Sequence, residues 1–102
     1  MTAEEAILDE LTTYYHGDDL RVDDAFRRAL PLFARASAER LADSKAPGLV
    51  SSLEGLKQRT HPLHRMIGRE TYISWTDNDL LFSTFTQLVD LIVGQLPADP
   101  TN

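Results

Sequence analysis

Residues 80–96 read LLFSTFTQLVDLIVGQL and form the longest strongly apolar segment of the chain. The apolar side chains recur at helical spacing, and Ser83, Gln87 and Asp90 lie near one line on the resulting helix. A helix with such a narrow polar stripe is either the buried centre of a domain or half of an interface between two copies. Because few residues remain to cover this helix, we expect a homodimer through Leu80–Leu96, with a buried central helix as the alternative.

The first half of the chain carries the signals of further helices. Thr2 and Glu5 have the spacing of a capping box, which predicts a first helix over 3–16. A second apolar stripe of helical spacing follows and continues through Pro31. Because a proline inside a helix removes a backbone hydrogen bond and clashes with the preceding turn, we expect a kink there or two helices that meet near Leu30.

Two shorter helices are predicted between that stripe and the C-terminal helix. Ser51 and Glu54 repeat the capping-box spacing ahead of a helix that runs to about Arg59. Pro62 suits the first position of another helix, which is expected to end at Gly68 because glycine is favoured just after a helix.

The segment that follows these helices has a different pattern. Residues 71–75 read TYISW, which alternates and is rich in β-branched and aromatic residues, but no second strand is evident to pair with it. The sequence therefore predicts an all-α fold, a compact bundle of four to five helices around a hydrophobic C-terminal helix, with one short extended segment near 71–75. Residues 1–102 are expected to form a single helical domain with a frayed tail over 97–102.

The composition of the 102-residue chain excludes several classes of protein. The absence of cysteine excludes a disulfide framework, a thiol nucleophile and a cysteine-ligated zinc site, and it favours a cytoplasmic location. No apolar segment reaches the about 18 uninterrupted residues that a membrane span needs, so no membrane role is expected. With a formal net charge of −6 and a pI near 4.8, DNA is not expected as a partner.

Charge is strongly segregated along the sequence. Residues 1–20 contain six acidic residues and residues 76–102 contain four, whereas all ten basic residues lie within 21–69. One interpretation is that the terminal helices pack beside the central ones, so that opposite charges face each other. The other is an arginine-rich face that binds an acidic partner or phosphate groups.

The three histidines are the side chains expected to titrate near neutral pH. His61 and His64 lie three residues apart and so share one face of a helix, and His16 with nearby carboxylates could complete a metal site. That site is an alternative; the main prediction is that no metal is bound, because the third ligand would come from an unknown distance along the chain. No cofactor is expected either, because the sequence has no glycine-rich phosphate loop.

A short motif surrounds two of these histidines. Arg59 and His64, in the six residues RTHPLH, have the R-x4-H spacing that resembles the motif of HEPN-type ribonucleases. In that family, paired arginine and histidine side chains from two helical protomers cleave RNA by acid–base chemistry beside the 2′-hydroxyl. The resemblance implies, as an alternative function, a dimeric ribonuclease in which Arg59 and His64 are the catalytic residues.

The main functional prediction follows by elimination of enzymatic motifs. We expect a small acidic helical protein-binding module, regulatory or inhibitory, which acts by binding another protein. Aromatic and arginine side chains dominate interface hot spots, and several of them lie within residues 60–75, the segment expected to form the contact surface. The candidate binding residues are Trp75, Tyr72, Arg65, Arg69 and His61.

Overall fold

Five α-helices make up the part of the chain that the computed structural model describes, which comprises residues 1–12, 24–71 and 79–97, with the backbone alone over 68–71. No strand occurs within these ranges, and the all-α fold is as predicted. In chain order the helices are α1 (Ala3–Thr12), α2 (Asp24–Ser44), α3 (Leu49–Gly55), α4 (Pro62–Thr71) and α5 (Asp79–Gln95).

The apolar face of α5 lies at the centre of the hydrophobic core. α5 packs along α2 and also against α3, while α1 packs against α2, α3 and α4. Six apolar side chains of α5 are buried within the single chain, namely Leu81, Phe82, Phe85, Leu88, Val89 and Ile92. Leu80 and Leu91 stay 49% and 37% exposed. The other helices thus cover more of α5 than its narrow polar stripe led us to expect.

Two helix starts are confirmed as the sequence predicts them. The Glu5 backbone N–H donates to Thr2 Oγ1 at 3.1 Å, and the Thr2 N–H donates back to Glu5 Oε1 at 3.2 Å, which is a complete capping box. That bond from the Thr2 backbone lowers the pKa of the Glu5 carboxyl. α4 begins at Pro62, where the missing N–H would have had no partner inside the helix.

Pro31 does not divide the second helix. α2 is continuous from Asp24 to Ser44, so the alternative of two helices meeting near Leu30 is wrong. Pro31 lies on the exposed side of α2 while Leu30 is buried, so the core side of the helix is packed across the position of the proline.

The predicted boundaries of α3 and α4 need correction. α3 begins at Leu49 rather than after Ser51, because Gly48 supplies the turn with a left-handed φ of 73°, and it ends at Gly55 rather than near Arg59. Glu54 pairs with Lys57 instead of serving in a capping box.

α4 passes through Gly68 and ends at Thr71, so the first residue of the predicted extended segment is helical. The rest of that segment, residues 72–75, lies outside the described residues. The same holds for residues 13–16 of the predicted first helix and for residues 98–102 of the predicted tail.

Ion pairs connect the acidic terminal helices to the basic middle of the chain. Glu10 of α1 accepts from Arg40 Nε of α2 at 2.8 Å. From α5, Asp79 accepts from Arg59 Nη2 at 2.7 Å and Asp90 lies 2.5 Å from Lys57 Nζ. These contacts support the interpretation that charge segregation reflects packing of the ends against the middle.

Helix length and hydropathy decide whether a helix could span a membrane. Among the described helices, none combines the length and the apolar character needed to cross a bilayer.

Candidate functional site

The connection from α3 to α4 carries the residues of the RTHPLH motif. His61 stands immediately before α4, and its N–H donates to the carbonyl of Gln58 at 3.0 Å. Because Pro62 has no N–H, the first unpaired donor of α4 is the N–H of Leu63, and it donates to His61 Nδ1 at 3.1 Å. His61 is therefore the side chain that caps α4, and its ring orientation is fixed by this bond.

The His61 ring also lies against the end of α3. A Cβ atom at Gly55 would be 2.9 Å from His61 Cδ2 and 3.1 Å from Nε2. Only glycine allows this approach with the ring in place. Sequence reasoning sees a glycine inside a short helix merely as a source of instability, since nothing in the local sequence shows that the ring lies against it.

His64 points into the bundle from the first turn of α4. Its side chain is buried, with the residue 5% exposed, and Nε2 lies 2.7 Å from the carbonyl oxygen of Leu56 at the end of α3. A carbonyl only accepts hydrogen bonds, so Nε2 carries the proton of the neutral ring. The ring meets Phe82 and Phe85 of α5 edge-on, with centroid distances of 5.5 and 5.6 Å.

Burial in this apolar environment controls the ionisation of His64. Desolvation lowers the pKa of the His64 imidazole below its ordinary value of 6.5. The hydrogen bond to the Leu56 carbonyl favours the charged ring, but it is the smaller effect, and the neighbouring His61 adds to the lowering. Near neutral pH, His64 is thus a neutral packing residue that joins α3, α4 and α5.

Arg59 and His64, the two residues of the R-x4-H spacing, are brought to the same aromatic ring. The guanidinium carbon of Arg59 lies 4.6 Å from the centroid of the Phe82 ring, and the same side chain pairs with Asp79. Arg59 is on the solvent side, whereas His64 contacts Phe82 from inside the core. Acid–base chemistry by His64 therefore requires that α4 move enough for a substrate to reach the imidazole.

Arg65 and Met66 lie on the outer face of α4. The inward positions of this helix are taken by Leu63, His64 and Ile67, so its next residues turn toward solvent. Arg65 is exposed and forms no ion pair with any described residue, and Met66 is 44% exposed. We call Arg65 and Met66 the α4 outer face; His61, at the N-terminal end of the helix, is half-buried against the end of α3.

The remaining candidate residues are placed only in part. Arg69 is in α4, one turn after Arg65, but its side chain lies outside the described residues, as do Tyr72, Trp75 and His16 in full. His61 and His64 are neighbours, with ring centroids 6.5 Å apart. Within residues 1–12, 24–71 and 79–97, no group of three metal-ligating side chains could hold an ion.

The fold and the site define a class of protein, a small all-α bundle of five described helices with a cationic and apolar outer face on α4. Comparisons of the chain with protein-family models, with curated proteins and with solved structures gave no match. The geometry of the site therefore carries the functional argument.

Proposed function

We propose that the protein is a small regulatory or inhibitory binding module that docks an acidic segment of another protein on the α4 outer face. The observation that carries this proposal is an exposed arginine without an ion pair among the described residues, next to a methionine that is 44% exposed. Arg69 extends the same helix by one turn, and Tyr72 and Trp75 follow it directly in the sequence.

The chemistry of the α4 outer face fits this kind of partner. Two arginines at i and i+4 can receive carboxylates that are spaced along a partner segment, and such charges raise the association rate and the specificity. The unbranched thioether of Met66 adapts its shape to an apolar side chain between those carboxylates. The cytoplasmic location expected from the cysteine-free composition belongs to the same proposal.

A homodimer through α5 is weakly supported by the packing of the described residues. Leu80 and Leu91 are the large apolar side chains of α5 that remain exposed. A stable interface buries about 800 Å² on each partner, far more than two partly exposed leucines provide. We therefore assign the docking surface to α4, and a second copy of the chain becomes one outcome of the binding experiment.

The proposal is tested by capturing partners with tagged protein from nuclease-treated lysate of the native source. The wild-type chain should retain a stoichiometric protein that dissociates as salt rises, because the contact includes exposed charges. Arg65→Glu should reduce the captured amount at least about tenfold, as expected when an attractive charge contact becomes repulsive. Intact mass analysis separates a foreign partner from a second copy.

Arg28→Glu provides the matched control. Arg28 is an exposed arginine of α2 without an ion pair among the described residues, so the same charge reversal occurs on a different surface. It should leave capture unchanged. An equal loss of captured partner in both variants would show that capture responds to net charge alone. If Arg65→Glu still captures the partner, the docking surface is not on α4.

A ribonuclease is the second candidate function. The observation that favours it is the contact of both Arg59 and His64 with Phe82, which brings the R-x4-H pair together. Cleavage of a mixed RNA pool by the wild-type chain should then be lost in His64→Ala and in Arg59→Ala, and kept in Arg28→Ala. Cleavage that survives His64→Ala would eliminate this function.

A further inference from the structure

We propose that Lys45 is a lysine acylation site, at which the side-chain amine takes an acyl group from a thioester while the fold stays intact. The chain contains two lysines, Lys45 and Lys57, and their surroundings differ. Lys45 follows α2 directly, whereas Lys57 lies between α3 and α4. The inference concerns the turn after α2 and does not depend on docking at α4.

The turn that carries Lys45 is held in place by short-range hydrogen bonds. The Lys45 N–H donates to the carbonyl of Ala42 at 3.1 Å. Ser44 Oγ accepts from the Ala46 N–H at 3.3 Å and donates to the carbonyl of Leu41 at 2.6 Å. Ala46 is itself buried, which fixes the far side of the turn to the core. The left-handed backbone of Lys45 is therefore held by its neighbours, and its side chain starts from a fixed point on the surface.

The Lys45 side chain is accessible to a reagent. Lys45 is exposed and forms no ion pair with any residue in the described part of the chain. Acyl transfer needs a neutral amine whose electron pair can reach the donor. The Lys45 ammonium can lose its proton to water and approach a donor without breaking an ion pair of the described fold.

Lys57 is in the opposite situation. Its Nζ lies 2.5 Å from Asp90 Oδ1 and 3.0 Å from Glu54 Oε2. Hydrogen bonds to these carboxylates, to Asp90 first and then to Glu54, raise the pKa of the Lys57 ammonium. Attack by this amine would also give up the contact that joins the end of α3 to α5. The same ion pairs that connect these helices thus protect Lys57 from acylation.

The reaction at Lys45 is an acyl transfer from sulfur to nitrogen. After the ammonium has lost one proton to water, the electron pair of Nζ attacks the thioester carbonyl carbon. The C–N bond forms, the C–S bond breaks and the sulfur leaves as a thiolate, which takes up the second proton of the nitrogen. The products are an amide and a thiol, so the step needs no oxidant or reductant. The acylated side chain is uncharged and extends into solvent.

Competition between the two lysines tests the proposal on the complete chain. A small acetyl thioester at about pH 8 should acetylate Lys45 at least about threefold faster than Lys57 in the folded protein. Cleavage after glutamate separates the two sites for mass spectrometry, because Glu54 lies between them. In about 8 M urea, where the ion pairs of Lys57 are lost, the two rates should become equal.

Asp90→Asn shows whether the carboxylates cause the difference. It should raise the acetylation rate at Lys57 and leave the rate at Lys45 unchanged, since Asp90 pairs with Lys57. Asp9→Asn is the matched control, because Asp9 is an exposed carboxylate of α1 that pairs with no described lysine, and it should change neither rate. If Asp90→Asn does not fold, Glu54→Gln makes the same comparison.

Two further measurements concern the modified protein. Acetylation of Lys45 should leave the melting temperature unchanged within about 1 °C, because an exposed side chain without an ion pair is altered. Protein isolated from its native source with deacylases inhibited should carry an acyl group on the peptide that contains Lys45 and none on the peptide that contains Lys57.

Three results would overturn the proposal. The first is acetylation of Lys57 as fast as or faster than that of Lys45 in the folded chain. The second is a melting temperature that falls by several degrees when Lys45 is acetylated. The third is the absence of an acyl group from Lys45 in the protein isolated from its native source.

Discussion

At Gly55, the neighbouring His61 side chain is expected to reverse the usual effect of a Gly→Ala substitution on stability. In an open helix position, Gly→Ala is stabilising by about 1 kcal/mol. Here the new Cβ would lie 2.9 Å from His61 Cδ2, and moving the ring would take the acceptor away from the Leu63 N–H. We expect Gly55→Ala to lower the free energy of unfolding by about 1 kcal/mol in urea titrations.

The His61→Ala background is the control for this prediction. Without the ring, the same Gly55→Ala change should raise the free energy of unfolding by about 1 kcal/mol, because helix propensity alone remains. Additive effects of the two substitutions would show that the contact between Gly55 and His61 has no energetic consequence.

Lys45 is the described non-glycine residue with a left-handed backbone, at a φ of 57°. It follows α2, where a left-handed residue ends many helices and glycine is normally preferred. Lys45→Gly should therefore raise the free energy of unfolding by about 0.5–1 kcal/mol, after allowance for the greater freedom of glycine in the unfolded chain. Thermal melts of both variants measure this difference. Lys45→Ala removes the same side chain but keeps a Cβ atom in the left-handed conformation, so it should not stabilise the protein.

At the scale of helices, the contact between α1 and α2 depends on a polar cluster. Glu10 is buried, and its carboxylate accepts from Ser37 Oγ at 3.0 Å and from Arg40 Nε. Arg40→Met should lower the free energy of unfolding by about 1–2 kcal/mol, less than for a fully buried pair because Arg40 is exposed in part. Chemical denaturation measures this difference.

The double variant Glu10→Met with Arg40→Met gives the matching control. It should recover most of the loss, since the carboxylate that lacked a cation is then absent. If the double variant loses as much free energy of unfolding as the two single variants together, Glu10 and Arg40 do not act as a pair.

The two faces of α5 can be compared with one pair of leucines. Leu88 is fully buried and Leu91 is 37% exposed, three residues further along. Leu88→Ala should lower the free energy of unfolding by about 2–5 kcal/mol, and Leu91→Ala by less than about 1 kcal/mol. A concentration-dependent loss of stability in Leu91→Ala would instead indicate that α5 forms an interface between copies.

Local sequence signals predicted the elements better than their boundaries. The Thr2–Glu5 capping box and Pro62 are right because each acts within one turn. The start of α3 was missed because Gly48, in a left-handed turn, replaces the side-chain cap expected from Ser51. The division into two helices at Pro31 was wrong because burial on the core side of α2 outweighs one lost backbone bond, whereas the expected kink there stays a prediction.

The candidate site was predictable as a set of residues but not as an arrangement. Sequence spacing places His61 and His64 on a helix, yet it does not show that one caps α4 and the other is buried against α5. Those roles depend on contacts between elements distant in sequence, such as Phe82 with His64. The exposure of Arg65 follows directly from the apolar spacing of Leu63 and Ile67.

At the scale of the whole molecule, packing accounts for part of the uneven charge pattern. Both acidic ends contact the basic middle through ion pairs of long sequence separation, as in Glu10 with Arg40 and Asp90 with Lys57. The second of these pairs raises the pKa of the Lys57 ammonium, chiefly because Asp90 accepts its hydrogen bond. Most of these charged groups are partly exposed, so each ion pair adds little stability. Their arrangement mainly favours the correct pairing of helices.

The central position of α5 has a consequence for biosynthesis. Six of the twenty-one buried apolar side chains of the described core come from this one helix, the last to be translated of the five. A nascent chain that still holds α5 inside the ribosomal tunnel exposes the apolar faces of α2 and α3 that α5 will cover. The packing of this core can therefore be completed only after Ile92 has emerged.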